Sequence, residues 1–87
     1  MPYAIQFTNS ALKQLYKLSK DISYKIARDI NELGYHPRPI GYKKLKGEDD
    51  LYRIRCGNYR IIYQICDKVL IVLVIRIGDR KEVYRNL

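Results

Sequence analysis

The chain has 87 residues, of which 47% are hydrophobic and 30% charged, and this composition is typical of a folded globular protein rather than a disordered one. Its net charge of +8 is large for one small domain and favours a polyanionic partner, although charge alone does not separate nucleic acid from an acidic protein. The apolar run Val69–Ile75 is too short to span a bilayer, and the first residues lack the layout of a signal peptide. We therefore expect a cytoplasmic protein.

After a first strand at Tyr3–Phe7, the spacing of apolar residues predicts two amphipathic helices that form a helical hairpin. Thr8 or Ser10 can cap the first helix, and Asp21 the second. Four residues share one face of the first helix: Ala11, Leu12, Leu15 and Tyr16. Four more share one face of the second helix: Ile22, Ile26, Ile30 and Leu33. Gly34, followed closely by two prolines, is predicted to end the second helix.

Three strands are predicted in the second half of the chain, at Leu51–Cys56, Tyr59–Cys66 and Val69–Ile77. Gly57-Asn58 and Asp67-Lys68 are predicted to be two-residue turns. The last strand is almost wholly apolar and is expected to be central, with the first strand on its far side. The predicted fold is an α+β domain over residues 1–87 in the order β-α-α-β-β-β. The helical hairpin packs on one face of a four-stranded, mainly antiparallel sheet, and a short C-terminal tail or helical turn follows.

With two-residue turns, the two faces of the predicted sheet differ in character. One face is nearly all apolar and is expected to contact the helices: Ile54, Cys56, Ile61, Tyr63, Ile65, Leu70, Val72 and Val74. The other face is predicted to be an open, half-apolar surface: Arg53, Arg55, Arg60 and Gln64, with Ile62, Ile71, Leu73 and Ile75.

Arg55 and Arg60 are predicted to lie directly opposite each other, with no acidic residue in the hairpin. Like charges in that position destabilise a sheet, so the pair is understandable if the negative charge belongs to a ligand. A guanidinium group can bind two phosphate oxygens at once, which favours a phosphate as that ligand. The alternative is that these arginines are simply solvated, or that they pair with the acidic loop Glu48–Asp50.

Other candidate residues give weaker signals. Three lysines are predicted to form a basic patch that contacts a nucleic-acid backbone, although a solvated sheet edge is equally compatible: Lys43, Lys44 and Lys46. His36 could act as a general acid or base, but a histidine in a loop is more often merely exposed. Cys56 and Cys66 are predicted to lie on opposite faces as reduced thiols. The sequence has no spacing typical of a metal site, and no cofactor is expected.

Two segments, LYRIRCGNYRIIYQICD and VIRIGDRKEVY, resemble the RelE/ParE superfamily of bacterial toxin–antitoxin systems, and most closely its RelE branch. KKLKG and SALKQLYKL also resemble that family, so the similarity covers almost the whole chain. The resemblance implies a ribosome-dependent endoribonuclease that cleaves mRNA in the A site without a metal, through attack of the 2′-hydroxyl on the phosphate. It also implies a small, partly disordered cognate antitoxin, and operator DNA bound through that antitoxin.

The resemblance further implies roles for particular residues. Arg60 matches an arginine that stabilises the transition state, Arg80 one that serves the leaving group, and Tyr84 a tyrosine that orients a nucleotide. Arg53 and Arg55 stand where the family often has lysines, one of them proposed as the base. An arginine is effectively never deprotonated, so Arg55 can stabilise charge but is a poor candidate for the base. The alternatives are a ParE-like toxin that inhibits DNA gyrase, or a non-catalytic RNA-binding module.

Overall fold

The computed structural model describes residues 2–45 and 50–79. The elements in chain order are β1 (Ala4–Phe7), α1 (Asn9–Tyr16), α2 (Lys20–Leu33), β2 (Lys43–Lys44), β3 (Leu51–Cys56), β4 (Tyr59–Cys66) and β5 (Ile71–Asp79). They form a sheet in the order β1-β5-β4-β3-β2, in which β1 is parallel to β5 and the other pairs are antiparallel. The α+β class and the central position of the last strand are confirmed. The short edge strand β2 was not predicted and makes the sheet five-stranded.

The helices differ from prediction at the start of the second helix and at one position of the apolar face of the first. Thr8 caps α1, and its side chain accepts a hydrogen bond from the Ala11 amide. The N-cap residue of α2 is Ser19, whose side chain makes no capping hydrogen bond, and not Asp21. Asp21 lies in the first turn, where the helix dipole favours a carboxylate. Tyr16 is 79% exposed, because five residues beyond Ala11 it lies about 140° around the helix axis. No helix within the described residues is long and apolar enough to cross a membrane.

Gly34 ends α2 as predicted, but for an unexpected reason. Its φ of −63° is ordinary helical backbone, so no left-handed conformation requires a glycine there. A Cβ atom at Gly34 would instead lie 2.9 Å from the carbonyl oxygen of Tyr3. The Tyr3 amide donates a hydrogen bond of 2.7 Å to the Gly34 carbonyl. The end of α2 is thus joined closely to the start of the sheet.

The turn between β3 and β4 is the predicted one, whereas the next turn is longer than expected. Gly57 has a φ of +61°, and the register pairs Arg55 with Arg60. The prediction of a two-residue turn at 67–68 is wrong, because Cys66 pairs with Ile71 and four residues separate the strands. Leu70 lies in this turn at 38% exposure and not on the apolar face. The observed pairing of β4 with β5 differs from the predicted pairing by two residues. Because this number is even, Val72 and Val74 still face the helices.

A β-bulge in β5 changes which side chains share a face. Tyr63 pairs with Val74 but Ile62 pairs with Arg76, which leaves Ile75 as an extra residue. The Thr8 hydroxyl donates a 2.8 Å hydrogen bond to the Ile75 carbonyl. The Gln14 side-chain oxygen accepts a hydrogen bond, also of 2.8 Å, from the Ile77 amide. Helix α1 therefore stabilises the bulge. Beyond it Ile77 turns into the core and Arg76 to the opposite face.

The core lies between the helices and one face of the sheet. Its buried residues are Ala11, Ile26, Ile30, Leu33, Tyr52, Ile54, Ile61, Tyr63, Ile65, Val72, Val74 and Ile77. Both cysteines are free, as predicted. The register places Cys56 on the core side and Cys66 on the opposite side. The helices therefore pack on only one of the two faces of the sheet.

Candidate active site

We call the sheet face opposite the helices the arginine face. Cross-strand partners point to the same side of a sheet, and the register therefore gathers five cations from four strands there: Lys43, Arg53, Arg55, Arg60 and Arg76. Among the strand positions that the structure describes on this face, none is acidic. Such a surface has a strong preference for an anion.

Arg60 lies at the centre of this cluster. Arg55 is its direct partner on β3, and Gly78 is its direct partner on β5. Arg53 and Arg76 pair with Ile62, two residues along β4, so they are the diagonal neighbours of Arg60 on either side. Because Gly78 has no side chain, β5 contributes no side chain directly opposite Arg60.

The arginine face is less open than the sequence predicted. Arg53 and Arg60 are only 5% and 4% exposed, and Ile62 is 1% exposed, whereas Arg55 is exposed. The register accounts for Ile62, because arginines flank it on both neighbouring strands and their aliphatic stems can cover an apolar side chain. A guanidinium group withdrawn from bulk water acts on a bound anion more strongly than one in solvent.

Aromatic residues on the core side hold β3 and β4 in place behind the arginines. The rings of Tyr52 and Tyr63 stack with their centroids 5.9 Å apart. The Tyr63 hydroxyl donates a 2.7 Å hydrogen bond to the Pro37 carbonyl, and burial raises the pKa of this phenol. The guanidinium of Arg38 lies 5.4 Å from the Tyr52 ring centroid in a cation–π contact. These contacts attach the loop after α2 to the strands that carry Arg53 and Arg60.

The side chain of Asp67 ties the turn between β4 and β5 to two distant parts of the chain. Its carboxylate forms a 3.0 Å ion pair with Arg38 and accepts a 2.5 Å hydrogen bond from the Tyr3 hydroxyl. The hydrogen bond from Arg38, and then that from Tyr3, holds the pKa of Asp67 below its ordinary value. The same contact with Asp67 raises the pKa of Tyr3. The Asp67 side chain is thus engaged by two distant residues, which explains why residues 67–68 do not form the tight turn predicted.

A groove of about 990 Å³ lies beside the arginine face, between the end of α2, the loop after it and the edge of β3. Asp29 and Glu32 line one wall, and Arg53 and Arg55 line another. His36 also lines this groove and is exposed. The walls are therefore of opposite charge, and the basic wall is shared with the arginine face.

No metal centre is found among residues 2–45 and 50–79, where no three His, Cys, Asp or Glu side chains come together. Cys56 lies close to Asp29 on α2. Burial, with a smaller contribution from Asp29, raises the pKa of its thiol to about 11. A thiol with so high a pKa is a poor nucleophile at neutral pH.

The structure brings together some of the predicted site residues and separates others. Arg53, Arg55, Arg60 and Lys43 share the arginine face, but Lys44 pairs with Tyr52 and belongs to the opposite side. The other predicted site residues lie outside the described residues, as does most of the acidic loop: Arg80, Tyr84, Lys46, Glu48 and Asp49.

Arg76 was missed from sequence. In the predicted register it pointed towards the core, and only the bulge at Ile75 turns it to the arginine face. A charged residue in an otherwise apolar central strand was the available signal, since a core position rarely accepts an arginine.

Comparison with known proteins places this arrangement in a family. Residues 5–84 match the family model described as the ParE toxin of type II toxin–antitoxin systems. The chain is 36% identical over 88 residues to the mRNA interferase toxin RelE of Escherichia coli K12, covering 97% of this chain and 92% of that protein. It is 29% identical to the toxin RelG of Mycobacterium tuberculosis over 99% of this chain and all of that protein.

Solved structures agree with the sequence comparisons. A mutant of the E. coli toxin RelE in the free state superposes with a TM-score of 0.82 at 32% identity, covering 98% of this chain and 93% of that one. The intact E. coli RelBE toxin–antitoxin complex contains a chain that superposes with a TM-score of 0.79 at 32% identity, covering 88% of this chain and 95% of that one. This chain therefore belongs to the ParE toxin family of type II toxin–antitoxin systems, and among its relatives in that family are RelE toxins.

Proposed function

We propose that this protein is a RelE-type toxin: an endoribonuclease of the cytoplasm that cleaves mRNA in the ribosomal A site and so inhibits translation. The observation that carries the proposal is the pairing of Arg55 with Arg60 on a face whose described strand positions include no acid. The similarity to a protein named as an mRNA interferase toxin supports the choice of substrate.

The proposed reaction requires mainly that the RNA is positioned correctly and that the negative charge of the transition state is stabilised. The 2′-hydroxyl of one nucleotide attacks the adjacent phosphorus, a pentacoordinate anion forms, and the 5′-oxygen of the next nucleotide leaves with a proton. The products are a 2′,3′-cyclic phosphate and a free 5′-hydroxyl. Arg60, nearly buried beneath the position where the phosphate would lie, stabilises the anion as its charge grows.

The arginines do not supply the base. A guanidinium group stays protonated, so Arg53 and Arg55 hold and neutralise the phosphate without removing a proton. Arg80 and Tyr84 are assigned, from family resemblance, to protonation of the leaving oxygen and to orientation of a nucleotide. A base contributed by Tyr84 or by the ribosome completes the scheme.

An antitoxin is the expected protein partner. The E. coli toxin RelE is seen in complex with its antitoxin RelB, and a homologous complex is known from Mycobacterium tuberculosis. For this chain we propose a small, partly disordered antitoxin with an acidic or amphipathic segment that complements the net charge of +8. The complex binds operator DNA through the antitoxin.

Cleavage can be tested by expressing the wild type beside Arg60→Ala, Arg80→Ala and Tyr84→Phe, then mapping cuts in translated mRNA by primer extension. Arg28→Ala is the matched control, because Arg28 is an exposed cation on α2. We expect cuts only in translated message and a loss of about 10²–10³-fold in rate for Arg60→Ala, the usual effect of removing one donor to a developing anion. Arg28→Ala should cleave like the wild type.

Other outcomes would overturn the proposal. A wild-type protein that leaves translated mRNA intact but blocks supercoiling by purified gyrase would be a ParE-like toxin. Salt-sensitive RNA binding without any cleavage on ribosomes would identify a binding module.

A further inference from the structure

We infer that Arg76, Arg60 and Gly78 form a second phosphate-binding site, which takes a phosphate next to the one being cleaved. The inference rests on the proposed function, since it assigns a further contact to the same RNA strand. The first site lies between Arg60 and Arg55, on the β3 side, and the second lies on the β5 side.

The geometry of the sheet carries this inference. Arg76 and Arg60 are diagonal neighbours on adjacent strands, close enough for both long side chains to reach one anion. Arg55 and Arg76 lie on either side of β4 and two residues apart along it, so their backbones are about 12 Å apart. The arginine face thus offers cations on both sides of Arg60, suited to successive phosphates of one strand.

Gly78 contributes no side chain to the second site. It is the direct partner of Arg60 on β5, and any larger residue there would project into the position that the anion takes. Arg76 is partly exposed, and it makes no hydrogen bond or ion pair with any other residue in the described part of the chain. Its guanidinium is therefore available to a ligand.

The bulge at Ile75 shows that the position of Arg76 depends on tertiary structure. Without the bulge Arg76 would face the core, where an unpaired charge is very costly. Thr8, which caps the first helix, and Gln14 within that helix bind the backbone on either side of Arg76, at Ile75 and Ile77. The same helix that caps the core therefore sets the direction of this arginine.

The test uses programmed ribosomes and single-turnover cleavage by the wild type, Arg76→Ala, Arg76→Lys and the control Arg28→Ala, each at several salt concentrations. Because Arg76 contacts a neighbouring phosphate and not the reacting one, Arg76→Ala should raise the half-saturating toxin concentration about tenfold. The maximal rate should change by less than about threefold. The salt dependence of binding should weaken by a slope of about 0.7–1. Arg76→Lys should restore the slope, and Arg28→Ala should match the wild type.

A second measurement identifies the phosphate. The mRNA is made with an uncharged methylphosphonate at the linkage before or after the scissile one. If Arg76 binds that phosphate, the neutral linkage and Arg76→Ala weaken binding no more together than either does alone. Additive losses at both linkages would overturn the inference, as would an Arg76→Ala protein indistinguishable from Arg28→Ala. In either case a wild type that still cleaves leaves the proposed function standing, whereas a wild type that does not cleave removes both.

Discussion

Replacing Arg55 by glutamine should stabilise the protein and impair its activity. Cys56 and Tyr59 close the two-residue turn, so the next pair, Arg55 and Arg60, is of the non-hydrogen-bonded kind in which side chains approach most closely. Two charges about 7 Å apart repel by about 0.6 kcal/mol in water-like surroundings and by more at lower dielectric. Measured cross-strand pairs give about 0.2–1 kcal/mol. We expect Arg55→Gln to gain about 0.5–1 kcal/mol at low salt.

Urea unfolding at several ionic strengths measures this gain. The gain should halve at about 0.1 M salt and almost vanish at about 1 M, where the Debye length is only about 3 Å. The melting temperature should rise by about 2–8 °C at low salt. Arg28→Gln removes the same charge from exposed helix surface, so it corrects for the general effect of lowering a net charge of +8.

The same variant should cleave mRNA about a hundredfold more slowly, because one cation beside the developing anion is lost. Greater stability with lower activity is the combination expected of residues placed for a ligand rather than for the fold. An Arg55→Gln protein no more stable than Arg28→Gln at low salt would refute the reasoning. So would a gain that persists unchanged in 1 M salt.

Three further predictions concern residues other than the arginines. Gly34→Ala should destabilise the fold by about 1–2 kcal/mol in urea unfolding. The clash with the Tyr3 carbonyl should outweigh a helix-propensity gain of about 1 kcal/mol, so a more stable variant would contradict this prediction. Tyr63→Phe should cost about 1–3 kcal/mol through the unpaired Pro37 carbonyl. Because burial raises the pKa of Tyr63, its phenol ionises more readily in the unfolded protein, and the stability of the wild type should fall as the pH rises above about 10. Unfolding measured above about pH 10 should show a smaller fall for Tyr63→Phe. Iodoacetamide at pH 8 should alkylate Cys66 before Cys56, whose thiol pKa of about 11 leaves little thiolate, as mass mapping of the early products would show.

The hairpin of β3 and β4 was predictable because it is local. The turn at Gly57 needs only a glycine with positive φ between two β-rich runs, and from it the pairing of Arg55 with Arg60 follows by counting. The boundaries of both strands were correct to the residue. Half of the arginine face therefore follows from residues that are neighbours in sequence.

The other half depends on contacts between residues more than sixty positions apart. Tyr3 binds Asp67, Thr8 binds the Ile75 carbonyl and Gln14 binds the Ile77 amide. These contacts determine the length of the turn before β5 and the bulge within it, and no local pattern reports them. Reading β5 as a regular strand therefore placed Arg76 on the wrong side. The edge strand β2 was missed because two lysines carry no apolar alternation.

The arrangement of charge on the arginine face links folding to binding. The cations gathered around Arg60 repel one another, and an anion bound between them reduces that repulsion. Any ligand that binds only the folded state stabilises it by RT ln(1 + [L]/Kd), which is about 2.7 kcal/mol at one hundred times Kd. An RNA phosphate and an acidic protein segment relieve the same repulsion, so they must compete wherever both need Arg55 and Arg60. An antitoxin that reached these two arginines would thus gain affinity from the same charge cluster that the reaction uses, and charge reversal at Arg55 would weaken both ligands together.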